Sequence, residues 1–150
     1  MLKVGDKAPE FTHLDQNGNE VSLSNFAGKK VLVWFFPKAS TPGCTAEGCN
    51  LRDNYPALQV KNVEIIGISK DSVKRQSNFA TKYEFPYPLL SDEEGTTVNA
   101  FGSWGPKKFM GREFDGILRK SFLISEDGKI ERIYEKVKTK THGVDVLTDI

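Results

Sequence analysis

Two short, mostly apolar runs, residues 31–36 and 63–68, punctuate a chain in which polar and apolar positions are otherwise mixed. Runs of that length read as strands covered on both faces, as in a sheet flanked by helices. After the first run, Cys44, Gly48, Leu51, Tyr55 and Leu58 recur at helical spacing, so an amphipathic helix follows with Cys44 at the start of its buried stripe. Thr41-Pro42 offers a capping residue and then a proline in the first turn. Pro56 is expected to kink or end this helix near its last turn, because proline removes a hydrogen bond and crowds the turn before it. A more polar helix is expected over 71–83, with Val73, Phe79 and Tyr83 as its apolar contacts. Phe85-Pro86-Tyr87-Pro88 must then run extended, since each proline biases its predecessor away from helix.

Towards the N-terminus, residues 11–14 and 20–23 flank Asp15-Gln16-Asn17-Gly18-Asn19, where the Asn-Gly pair signals a hairpin. Residues 121–124 and 130–134 read as strands joined by a turn over 126–129. A short helix fits 96–101, and 144–150 resembles the start of a terminal helix. Segment 102–116, rich in glycine and aromatic residues, shows no clear period and reads as a long irregular loop of the kind that often carries function. The order strand–helix–strand–helix, then a hairpin and a final helix, predicts an α/β protein. It has a mixed central sheet, helices on both faces and an N-terminal hairpin. The length of 150 residues fits one domain, 1–150.

Composition changes this picture little. The chain is 38% hydrophobic and 27% charged, and a formal net charge of +1 gives no reason to expect nucleic acid or an anionic membrane as partner. No apolar stretch approaches the roughly 18 residues that a membrane helix needs. Residues 1–6 lack the apolar core of a secretory signal, so a cytosolic location is expected.

The chemistry concentrates in the two cysteines, Cys44 and Cys49. In a reducing compartment a permanent disulfide is not expected, whereas a transient catalytic or redox-sensing one is. Two cysteines five positions apart, with His13 and His142 distant, match no common zinc spacing, so neither metal nor cofactor is expected. Open α/β sheets gather reactive groups where strands end and helices begin. Cys44 falls at such a point, and the positive end of the helix dipole favours its nucleophilic thiolate.

Pro37-x-x-x-Thr41-x-x-Cys44 resembles the peroxiredoxin active-site signature, and Thr41-Pro42-Gly43-Cys44-Thr45-x-Glu47-x-Cys49 resembles the bacterioferritin comigratory protein, or peroxiredoxin Q, subfamily. Residues 5–11, 105–109 and Phe114-Asp115-Gly116-Ile117-x-Arg119-x-Ser121-Phe122-Leu123-Ile124 extend the likeness from about residue 3 into the final helix. The resemblance implies a thioredoxin-like fold and reduction of hydrogen peroxide and organic hydroperoxides. It makes Cys44 the peroxidatic cysteine, which becomes a sulfenic acid. It makes Cys49 the resolving cysteine, forming an intramolecular disulfide that thioredoxin or a similar dithiol donor reduces. It also implies a monomer and places Arg119 beside the thiolate. There a guanidinium stabilises the anion and, as the O–O bond breaks, the charge growing on the departing oxygen. The Thr41 hydroxyl suits holding a peroxide oxygen in line with sulfur, and Pro37, which has no N–H, suits shielding the thiolate from water.

Other readings remain open at this stage. Thr41 is equally well a helix cap, and Glu47 a first-turn acid whose charge opposes thiolate formation unless it is paired. Trp104, Phe109 and Phe114 fit a pocket wall, a docking patch or ordinary loop packing, and Lys107-Lys108 reads as a solvated face. A general disulfide oxidoreductase would normally carry Cys-x-x-Cys, which this chain lacks; a redox sensor would use the same two thiols. One consequence is independent of family. In an intact helix, residues five apart lie about 8.6 Å apart at Cα, beyond the roughly 4.4–6.8 Å that a disulfide spans. Bonding Cys44 to Cys49 is therefore expected to unwind the first turns of the helix.

Overall fold

The Asn-Gly signal forms the hairpin it predicts. In the computed structural model, which describes residues 1–150, β1 (Thr12–Leu14) pairs antiparallel with β2 (Glu20–Ser22), and Gly18 takes the positive φ of 79° that the turn requires. A 3-10 turn at Leu23–Phe26 leads to β3 (Lys30–Phe35), α1 (Pro42–Val60), β4 (Val63–Ser69) and α2 (Val73–Tyr83). The remaining elements are β5 (Leu89–Ser91), α3 (Thr96–Ala100), β6 (Trp104–Phe109), β7 (Arg112–Ile117), β8 (Ser121–Ile124), β9 (Ile130–Tyr134) and α4 (His142–Asp149). Seven strands make one mixed sheet in the order β2-β1-β5-β4-β3-β8-β9, and β6 and β7 form a separate ribbon.

The apolar runs occupy the middle of that sheet because both faces are covered there. Leu32, Trp34 and Phe36 pack on one side with Leu51, Leu58, Phe79 and Val146 from α1, α2 and α4. Val31, Val33 and Phe35 face the other way, onto Phe11, Val98, Phe101 and Phe122. Strand alternation thus divides one run between two cores. Each fully buried side chain of this size contributes about 1.5–3 kcal/mol relative to exposure.

Register then decides what stands near the end of β3. β8 runs antiparallel to β3 with Trp34 opposite Ser121, and the Phe35 N–H donates to the Lys120 carbonyl at 2.9 Å. Residue 119 is therefore carried just past the C-terminal end of β3, beside the loop that opens α1. On the far side of α1, the Gly143 N–H donates to Asn50 Oδ1 at 2.6 Å and docks α4. His142 is buried with its Nε2 2.8 Å from Ser121 Oγ; burial pushes it down to about 4, so the ring is neutral and structural.

Four expectations change. Residues 102–116 are not an irregular loop but the β6–β7 ribbon, closed by Met110 and Gly111 at φ 51° and 78°. Two positive φ values match the primed turn that suits a tight hairpin. Pro56 does not end α1, which continues to Val60: the proline sits on the exposed face while Leu51, Tyr55 and Leu58 anchor the buried one. The polar helix begins at Val73, capped by Ser72 Oγ accepting from the Arg75 N–H, and Asp71 lies outside it. The terminal helix starts at His142 rather than Val144. The extended 85–88 segment leads into β5, a three-residue strand with no periodic signal of its own.

Gly48 lies where α1 packs tightly on buried aromatic rings. A Cβ there would lie 2.6 Å from Phe85 Cζ and 3.2 Å from Trp34 Cη2, both in buried rings. Gly48→Ala is expected to destabilise the protein by about 1–3 kcal/mol through overpacking, read as a lower urea midpoint at unchanged slope.

Candidate active site

The site is built where β3 stops and α1 starts. Pro37, half-buried, breaks the strand, and residues 37–41 turn the chain into the helix. The first backbone bond at the start of α1 runs from the Thr45 N–H to the Thr41 carbonyl at 2.9 Å. The N–H groups of Gly43 and Cys44 precede it and have no intrahelical acceptor. These free donors and the helix dipole make a positive surface. Cys44 sits at that end, 0% exposed, and both cysteines are thiols within one unbroken helix.

Arg119 arrives from the segment between β7 and β8. Its Nη2 donates to Cys44 Sγ at 3.5 Å, and its Nη1 donates to Glu47 Oε1 at 2.7 Å. Gly43 makes room for it, since a Cβ at that position would lie 3.1 Å from Nη2. Burial works against the guanidinium's charge, but Cys44 and Glu47 outweigh it, so Arg119 is held protonated more firmly than usual. Glu47 is 0% exposed, and its second oxygen, Oε2, has no hydrogen-bond partner. Desolvation pushes Glu47 up to about 7 against the pull of Arg119. The arrangement suits a buried sulfur nucleophile facing a fixed cation.

Residues 4–133 match the AhpC/TSA family. The chain belongs to that family and is a peroxiredoxin. Over 146 residues it is 50% identical to peroxiredoxin Bcp of Escherichia coli K12, which covers 97% of this chain and 94% of that protein. A putative peroxiredoxin bcp of Haemophilus influenzae is 50% identical over 141 residues, 94% and 91% of the two chains. Among solved structures, a cysteine-to-serine variant of Xylella fastidiosa PrxQ superposes with a TM-score of 0.93 at 27% identity, over 99% and 95% of the chains. Xanthomonas campestris peroxiredoxin Q gives 0.87 at 34% identity, over 93% and 88%. The fold is thioredoxin-like, and the protein is a thiol-dependent peroxidase, with a peroxide as substrate and a thiol as reductant.

The peroxiredoxin's structure brings Cys44, Arg119 and the start of α1 together, with Thr41 and Pro37 in the adjoining turn. Thr41 stands at the N-cap position, but its side chain caps nothing; its hydroxyl donates to the Lys38 carbonyl at 2.7 Å. Cys49 is half-buried against the α1–α2 core, on the same uninterrupted helix as Cys44. Trp104, Phe109 and Phe114 lie on the β6–β7 ribbon and are 37%, 67% and 48% exposed, so they are not packed as an ordinary loop core.

Sequence left the partner of Glu47 open and misread Lys107 as solvated. Glu47 is the ion-pair partner that orients Arg119, a pairing across 72 positions that no local pattern announces. Lys107 is not a solvated charge: it is half-buried and donates to the Ile117 carbonyl at 2.8 Å, two residues before Arg119. Burial and the nearby Arg119 both lower its proton affinity, while Cys44 opposes them. No helix in the structure is long and apolar enough to cross a membrane.

Glu47 links stability to pH. Its folded value, about 7, lies above the ordinary 4.5, so the protonated form favours the folded state. That contribution is complete below about 4.5 and is lost as pH rises through about 7. Glu47→Gln should therefore gain stability relative to the parent between pH 5 and pH 8, measured by urea denaturation of the reduced proteins at both values.

Proposed function

We propose that Cys44 is the peroxidatic nucleophile of this peroxidase and Cys49 its resolving partner. The observation that carries this reading is the guanidinium of Arg119 3.5 Å from a buried sulfur at a helix N-terminus. The Cys44 thiolate attacks one peroxide oxygen, an S–O bond forms and the O–O bond breaks. The departing oxygen leaves as hydroxide or alkoxide and takes up a proton, and sulfur is left as a sulfenic acid. Arg119 and the free N–H groups of Gly43 and Cys44 are fixed donors on the side where charge develops. Because Thr41 already donates to Lys38, its oxygen is left to accept from the peroxide O–H, which favours an in-line approach. Pro37, half-buried at the end of β3, shields that face.

In the second step the Cys49 sulfur attacks the sulfenic sulfur, and the oxygen departs as water. The resulting disulfide takes two electrons from thioredoxin or a similar dithiol. Both hydrogen peroxide and organic hydroperoxides fall within the proposed substrate range. A structure of Xanthomonas campestris bacterioferritin comigratory protein bears on the alkyl peroxide reduction activity of that relative, which supports the wider range. We further propose that the protein acts as a monomer, one domain over residues 1–150, in the cytosol.

Cys44→Ser is expected to abolish peroxide turnover in an assay coupled to thioredoxin and its reductase. Cys49→Ser should react once and leave a sulfenic acid that dimedone traps. Arg119→Met should slow the first step on the order of a hundredfold, the usual effect of losing one fixed donor. Full turnover by Cys44→Ser sinks the reading.

Oxidation has a structural signature as well. In the disulfide form, amides in the first turns of α1 should exchange hydrogen faster, while those from Leu51 onward stay protected by their core contacts. An oxidised protein with unchanged protection near Cys44 would show that no unwinding accompanies the bond.

A further inference from the structure

Asp71 lies two residues past the end of β4 and is 7% exposed, yet none of the steps above uses it. Its Oδ2 accepts from the Ala39 backbone N–H at 2.7 Å and from Ser69 Oγ at 2.7 Å. Ser69 Oγ in turn accepts from Gln76 Nε2 at 2.8 Å, and that amide also donates to the Leu90 carbonyl at 2.9 Å. The Asp71 carbonyl accepts from Ser91 Oγ at 2.6 Å. The carboxylate is thus held directly by Ser69 of β4, with Gln76 of α2 buttressing that serine and Ser91 of β5 fixing the Asp71 backbone; its other oxygen lies 3.8 Å from Arg75 Nη1.

What this group grips is a turn with no secondary structure of its own. Ala39 sits in the turn between β3 and α1, 32 positions away in sequence. The next residue, Ser40, has φ 66°, a left-handed conformation that is unfavourable for a residue with a side chain. Such a conformation persists only where its surroundings over-determine it. Lys38 lies on the other side of Ala39, and its carbonyl receives the Thr41 hydroxyl. Four consecutive residues therefore share two fastenings: one from Asp71 to the backbone and one within the turn that orients Thr41. A backbone N–H donating to a buried carboxylate is charge-assisted and among the stronger hydrogen bonds.

We propose that Asp71 is a positioning residue for peroxide reduction, holding the strained 38–41 turn through the Ala39 N–H so that the Thr41 oxygen faces the peroxide. No proton or electron passes through Asp71; it acts only through geometry. The inference deepens the role given to Thr41 under Proposed function and rests on it.

A double-mutant cycle on the full chain tests this. Two rates are followed in the reduced enzymes: consumption of hydrogen peroxide in a single turnover, and alkylation of Cys44 by iodoacetamide, located by peptide mass spectrometry. Alkylation needs the thiolate but no aligned peroxide, so it reports on Cys44 without Thr41. Asp71→Ala should slow the peroxide reaction by about tenfold to a hundredfold and leave alkylation within about twofold. In a Thr41→Val background the same substitution should add less than about twofold, because the group it positions is gone. Asp71→Asn should recover most of the rate, since an amide oxygen can accept from the Ala39 N–H. If Asp71→Ala does not fold, Asp71→Ser, too short to reach Ala39, takes its place.

An unchanged peroxide rate in Asp71→Ala overturns the proposal. So does an equal loss of alkylation, or an equal slowing in the Thr41→Val background, since either would mean general damage to the start of α1. A Thr41→Val enzyme with the full peroxide rate overturns the role of Thr41 itself, and does so in an arm that leaves Asp71 intact.

Discussion

One guanidinium ties this site together. Arg119 reaches Cys44 with one nitrogen and Glu47 with the other, so the sulfur, the cation and the carboxylate are fixed by a single planar group. Its reach depends on strand register. With Trp34 opposite Ser121, residue 119 clears the end of β3 and meets the first turn of α1. A slip of one residue would send the side chains of β8 to the opposite faces and carry Arg119 away from the sulfur. The alternating cores on the two sides of the sheet are what forbid that slip. The packing of Leu123 and Phe122 on opposite faces thus fixes where Arg119 stands relative to Cys44.

The same region carries opposed demands. The proposed attack needs α1 whole, since its free N–H groups and dipole exist only at an intact helix start. The proposed disulfide needs that start opened, since an unbroken helix keeps the two sulfurs apart. Downstream of Cys49 the helix is anchored by side chains and by α4. Leu51, Tyr55 and Leu58 are embedded in the core, and Asn50 is bound by α4. At the beginning of the helix, by contrast, Glu47 keeps a buried oxygen without a partner, a group whose desolvation is relieved when water reaches it. That unpartnered oxygen near the start and the anchoring beyond Cys49 fit the proposed opening of the first turns alone.

How much of this was legible from sequence differs by element. The two central strands, the N-terminal hairpin, α1 and the β8–β9 pair were all readable, because each has a one-sided or two-sided burial pattern or a turn with specific residues. The β6–β7 ribbon was not, because it leaves Phe109, Met110 and Phe114 exposed and so writes no alternation of apolar and polar positions. Only the Gly111 turn marked it. Pro56 misled because propensity argues from the backbone alone, while α1 is held on its other face by side chains that a proline on the solvent side does not disturb.

The site divides along the same line. Local sequence by itself marked the cysteine at the strand-to-helix junction and the proline-started helix that follows, because a buried run, a proline and then helical spacing form a short-range pattern; Thr41 and Pro37 were marked by the resemblance to the peroxiredoxin signature. Glu47 as the partner of Arg119, Asp71 as the clasp on Ala39 and Lys107 as a half-buried donor were decided only by the tertiary structure. Each is a charge whose meaning lies in what surrounds it. A charged residue in sequence is a surface residue until folding removes its water and supplies a partner, and that partner can lie 32 or 72 positions away.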